Sequence, residues 1–184
     1  MDLLAKLFGG SAPVRLMRFF LFHPEGIFGT TTLGEKTSIV SASLKTPLAR
    51  LKAAGFVKKR ARGWSLNPEF PHMQSIKHLM LGNMLADVPV VSRVAKGGAI
   101  KLLVASGIFI EEDDSRTDLL IVADKIDEKA IAKAVIHLEA ECGTEIRYSA
   151  FSTKDFSYRM GMNDKLLRDV FDYPHRKLVN RLGM

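Results

Sequence analysis

The sequence has a single cysteine, Cys142. It cannot supply an internal disulfide framework, and a chain without one suits a reducing compartment such as the cytoplasm. No apolar run approaches the roughly 20 residues of a helical membrane span. The N-terminus does not read as a signal peptide, because Asp2 is acidic and Gly9-Gly10 interrupts its apolar stretch early. A zinc set is also missing. His72 and His78 are six apart, off a shared i, i+4 helix face, and no cysteine or acid completes them. No internal repeat or low-complexity segment is visible. Acids are scarce in one part only. Residues 1–70 hold 11 Lys and Arg against 4 Asp and Glu, 11 − 4 = +7, whereas residues 71–184 hold 16 of each. The whole net charge of +7 therefore belongs to the first 70 residues. Such asymmetry points to a polyanionic partner.

What is present is organised by residues 31–66. Leu44, Leu48 and Leu51 recur at helical spacing and give one apolar face. Lys45, Thr46, Ala49, Arg50 and Lys52 take the other faces, and Gly55 closes the helix. Ser41 or Ser43 is expected to cap it. Pro47 restricts where it begins, since proline is free only in a first helical turn. Phe56-Val57 then leads into Lys58, Lys59, Arg60 and Arg62, and the chain returns through Trp64 and Leu66. The order is helix, strand, basic turn, strand. Upstream, residues 1–8 read as a short amphipathic helix. Ser11-Ala12-Pro13 opens a helix through Phe22 that carries Leu16, Met17, Phe19, Phe20 and Phe22, with Arg15 and Arg18 on the opposite side. Ile27-Phe28 is expected to pair with the later hairpin.

This pattern resembles a winged helix-turn-helix domain, with Thr32 to Lys36 as its short second helix. The resemblance implies that Ser41, Ser43, Lys45, Thr46 and Arg50 face the DNA major groove. It makes Lys58, Lys59, Arg60 and Arg62 a wing that meets backbone phosphate. Gly29 to Thr37 looks superficially like a phosphate-binding P-loop, but Glu35 stands where that motif needs Lys.

Asn67-Pro68-Glu69-Phe70-Pro71 breaks the chain, and a boundary is expected there, closing a first domain of residues 1–70. Residues 71–98 read as connecting or dimerisation helices. Residues 99–184 read as a small α/β domain with a mixed sheet. Ala99 to Ser106 and Asp118 to Ala123 are buried strands, Asp127 to Cys142 is an amphipathic helix, and Glu145 to Phe151 is a third strand. Two short helices and a last strand at Lys177 to Asn180 follow. The fold class expected is thus α+β with an α/β second part.

Gly107 to Phe171 resembles the minimal nucleotidyltransferases of the DNA polymerase beta superfamily, most clearly at Asp114-Ser115-Arg116-Thr117-Asp118-Leu119. Members carry Gly-Ser after the first strand and two metal-holding aspartates at the second. Here Ile108 replaces that serine, Arg116 replaces the first aspartate, and only Asp118 remains. A fixed cation in place of a ligand opposes magnesium binding. The resemblance therefore implies a degenerate site at Gly107, Arg116 and Asp118 with no catalytic residue, metal or cofactor. Asp118 is expected to pair with Arg116 or another cation. Asp113 and Asp114 are the substitutes that could restore a metal site.

The function expected is a DNA-binding transcriptional regulator. Its partner is double-stranded DNA, bound as a homodimer and away from any membrane, with a small-molecule or protein effector on the C-terminal domain. The alternatives are an active metal-dependent nucleotidyltransferase and an antitoxin-like protein-binding module.

Overall fold

The computed structural model describes residues 3–82, 84–112 and 115–184. The chain is a mixed α+β protein that divides into two compact units. The first comprises Met1–Asn83 with Glu139–Thr144, and the second Met84–Leu138 with Glu145–Met184.

In the first unit, α1 (Leu3–Leu7), α2 (Ser11–Phe22) and α3 (Thr30–Thr37) precede a 3₁₀ turn (Ser41–Leu44) that runs into α4 (Lys45–Ala53). A hairpin of β1 (Val57–Arg60) and β2 (Gly63–Leu66) follows, then α5 (Met73–Leu81). Val14, Leu16, Met17, Phe19 and Phe20 of α2 meet Leu33, Leu44, Leu48, Leu51, Phe56 and Met80 in one core. Burying such side chains is worth roughly 1.5–3 kcal/mol each, which fixes how α4 is rotated. The helical spacing of Leu44, Leu48 and Leu51 thus turns their polar neighbours outward. Phe28 pairs with Trp64, each backbone N–H donating to the other's carbonyl at 2.9 Å. Gly63 makes this approach possible, because a Cβ there would collide with the Phe28 carbonyl.

Two local expectations fail. Neither Ser41 nor Ser43 caps α4. A cap residue needs non-helical backbone angles, and Leu44, just before α4, is already helical at φ −76°, ψ −23°. Pro47 is the third residue of α4, in its first turn, and is buried there. Arg18 does not share an exposed side with Arg15: it is buried, at 2% exposure. Its Nε donates to the Met80 carbonyl at 2.9 Å and its Nη1 to that of Glu141 at 3.3 Å. A guanidinium is well suited to answering the free carbonyls at a helix end.

The second unit begins with α6 (Met84–Asp87) and α7 (Val90–Val94). It continues with β3 (Ile100–Ala105), β4 (Leu119–Ala123), α8 (Glu128–Cys142), β5 (Tyr148–Ser152), α9 (Thr153–Gly161), α10 (Lys165–Asp172) and β6 (Arg176–Asn180). The last residues of α8 group with the first unit. The sheet order is β5-β4-β3-β6. β3 runs antiparallel to β4 and β6, while β4 and β5 are parallel and joined through α8. The sheet is therefore mixed. β4 is buried along its whole length and is apolar throughout; β3 is buried at every position but Lys101, whose Nζ reaches Asp124 Oδ2 at 3.0 Å. Leu102, Val104, Leu120 and Val122 form a core with Phe156 of α9 and Leu167 and Val170 of α10. Ser152 caps α9 by accepting from Asp155 N at 3.0 Å, and Asp164 caps α10 by accepting from Leu166 N at 2.9 Å.

Candidate functional site

The packing of α4 leaves Ser41, Ser43, Lys45, Thr46 and Arg50 all exposed, while Leu44, Pro47, Leu48 and Leu51 are buried. Arg50 extends toward the turn between α1 and α2: its Nη1 would lie 3.0 Å from a Cβ placed on Gly9.

The hairpin cations divide among different settings. The strands pair Lys58 with Ser65, Lys59 with Trp64 and Arg60 with Gly63. Alternation along β1 sends Lys58 and Arg60 to one face and Lys59 to the other. Lys58 is already engaged, its Nζ donating to Glu69 Oε2 at 2.6 Å. This hydrogen bond, helped by the lysine charge, lowers the Glu69 pKa below its ordinary value. Lys59 Nζ stands 4.8 Å from the centre of the Trp64 ring, a cation–π geometry that holds it at the surface. Trp64 is itself half-buried against the first core. Arg60 is exposed; its Nε donates to Ser65 Oγ at 3.2 Å, and its charge adds to that of Lys58 in lowering the Glu69 pKa. Arg62 is exposed in the two-residue turn. Glu69 was not recognisable as a partner, because it lies beyond the hairpin in the Pro68–Pro71 break.

At the second region the structure joins two of the three expected residues. Asp118 is fully buried. Its Oδ1 accepts from Ile108 N at 3.1 Å and Arg147 Nη2 at 3.0 Å; its Oδ2 accepts from Arg147 N at 2.8 Å and Arg147 Nε at 3.1 Å. Gly107, at φ 54°, brings the chain against this carboxylate, where any Cβ would strike Oδ1. Arg116 turns elsewhere. Its Nε is 3.4 Å from Asp169 Oδ2 on α10. The cation facing Asp118 is therefore Arg147, through a two-pronged bond that also raises the Arg147 pKa. Asp113 and Asp114 lie outside the described residues.

Arg147 could have been found from register. Leu119 pairs with Tyr148 in the parallel β4–β5 ladder, so the residues just before them are neighbours. Chemically, four hydrogen bonds occupy the acceptor positions of Asp118, and one guanidinium offsets its charge. Among the described residues, no group of three or more His, Cys, Asp or Glu could hold a metal ion. No family model, curated protein or solved structure matches the chain. Among the described residues, no helix is long and apolar enough to cross a membrane.

Proposed function

We propose that the protein is a DNA-binding transcriptional regulator of the winged helix-turn-helix kind, with α4 as the recognition helix and the β1–β2 hairpin as the wing. The observation that carries this reading is the exposed set Lys45, Arg50, Lys59, Arg60 and Arg62, on a segment that holds the chain's entire positive excess. In this reading the first turn of α4 enters the major groove, where Ser43, Lys45 and Thr46 reach base edges. The wing lies on the phosphate backbone and supplies affinity without sequence choice. A cytoplasmic homodimer on duplex DNA is part of the same proposal.

The second unit, in this reading, is a nucleotidyltransferase-like domain without transferase activity. Its support is the Asp118 carboxylate, whose acceptor positions are taken by Arg147 and two backbone N–H groups. A cavity of about 280 Å³ beside Arg116, Asp169 and Tyr173 is the place a small effector would occupy.

The test is duplex binding by Arg60→Glu/Arg62→Glu beside Lys45→Ala and Thr46→Ala. The wing variant should weaken binding to all duplexes alike. The helix variants should change which fragments are selected from random duplex DNA. Parent-like binding by all of them would refute this docking.

A further inference from the structure

Among the described residues β5 is the end strand of its sheet, and its sequence carries none of the usual edge guards. Proteins commonly protect such edges with charged residues, proline or a bulge, because a row of unpaired backbone N–H and carbonyl groups recruits another strand. The opposite edge, β6, has such devices: Arg176 and Lys177 stand on it, and its register with β3 shifts between Leu103 and Val104. β5 reads Tyr-Ser-Ala-Phe-Ser, without charge or proline, and pairs with β4 over all five residues with no shift.

Beside this edge lies an apolar shelf. α9 buries only Phe156, so Tyr158 and Met162, one helical turn apart, stand 69% and 66% exposed. With Phe151 they line an open groove of about 490 Å³. The charged groups there are answered internally: Arg159 pairs with Asp164 at 2.8 Å and lies over the Phe151 ring at 4.9 Å, and Asp155 accepts from Ser152 Oγ at 2.7 Å.

We propose that the β5 edge and the Tyr158–Met162 shelf are a self-association surface, occupied by β5 of a second copy of this chain running antiparallel about a two-fold axis at Ala150. The strand's own sequence favours this occupant. A two-fold at its middle residue sets Tyr148 opposite Ser152 of the partner subunit and Ser149 opposite Phe151 of the partner subunit, large against small, with no charge facing a like charge. At roughly 200 Å² per large side chain, Tyr148, Tyr158 and Met162 expose about 350 Å² per copy. Two copies supply more than half of the ~1,200 Å² at which specific interfaces begin, before the paired strands are counted. The surface belongs to the second unit alone and does not depend on the DNA reading.

The test is sedimentation of the full chain over a concentration series, with Ala150→Lys and Ala150→Glu. Each substitution sets like charges face to face across the axis and should weaken self-association by on the order of a hundredfold. An equimolar mixture of the two should restore the dimer. Circular dichroism reports folding, and Tyr158→Ser/Met162→Ser, confined to exposed side chains, should weaken the dimer should either Ala150 variant misfold. A parent that stays monomeric into the hundred-micromolar range overturns the proposal. So does a dimer that survives both charges, or a mixture that does not reassociate.

Discussion

Glu69→Gln should strengthen DNA binding. In the folded chain Lys58 is held by Glu69 at 2.6 Å, so one of the four hairpin cations is neutralised at the surface that would meet phosphate. The hydrogen bond keeps the Glu69 pKa below its usual value, so the pair stays ionised through the neutral range in which binding is measured. Gln keeps the shape and removes the charge. Lys58 then becomes free to displace one more counterion, steepening the slope of log affinity against log salt by about 0.9. Over a fourfold rise in salt that slope is worth roughly a three- to fourfold change in affinity. The advantage of the variant over the parent should therefore be three- to fourfold larger at the low end of such a range than at the high end. Fluorescence anisotropy of a labelled duplex measures both proteins. Unfolding should barely move, because the pair is exposed and surface pairs contribute little. Equal slopes for the two proteins, or weaker binding by Glu69→Gln, would refute the assignment of β1 to the phosphate-facing surface.

Other outcomes follow from the second unit. Arg147→Met leaves the buried Asp118 carboxylate with only its backbone donors; the guanidinium is about half exposed, so we expect a cost of about 2 kcal/mol, below that for a fully buried pair. Urea denaturation checks it, and an unchanged midpoint would contradict the buried ion pair. Asp164→Ala should lower the melting temperature at neutral pH, because Asp164 caps α10 and its pKa is lowered first by the Arg159 hydrogen bond. A lowered folded pKa means the stabilisation is complete above the unfolded value of about 3.9 and is lost as pH falls through the folded value. The gap between variant and parent should close below that range, and a gap constant with pH would contradict this linkage. Incubation with labelled nucleoside triphosphates and magnesium or manganese should transfer no label; transfer abolished by Asp118→Asn would restore the enzymatic reading.

Much of the architecture was legible because periodicity reports burial. The apolar faces of α2, α4 and α8 and the runs at β3 and β4 needed only spacing to be read. The hairpin and its pairing with Phe28 were also expected, but Lys58, Lys59 and Arg60, read as part of a basic turn, lie in β1, and only Arg62 is in the turn. Partner choice was not. Arg18 and Arg15 lie three apart on one helix, and spacing could not tell that Arg18 meets the ends of distant helical segments. Arg147 was legible only through the parallel β4–β5 register, 29 residues from Asp118. Glu69 was hidden in a turn, where no periodicity assigns direction. The failed serine cap has a similar origin: propensity suggested Ser41 or Ser43, while both lie inside a 3₁₀ turn that leads into α4 without a side-chain cap.

The claim that the first unit meets DNA through an exposed basic helix and hairpin is tested most directly by titrating the intact chain against a labelled duplex at several salt concentrations. With Lys45, Arg50, Lys59, Arg60 and Arg62 available, log affinity should fall with log salt at a slope between about −2 and −4.5 per bound copy. No binding at the lowest salt, or an affinity indifferent to salt, would contradict it.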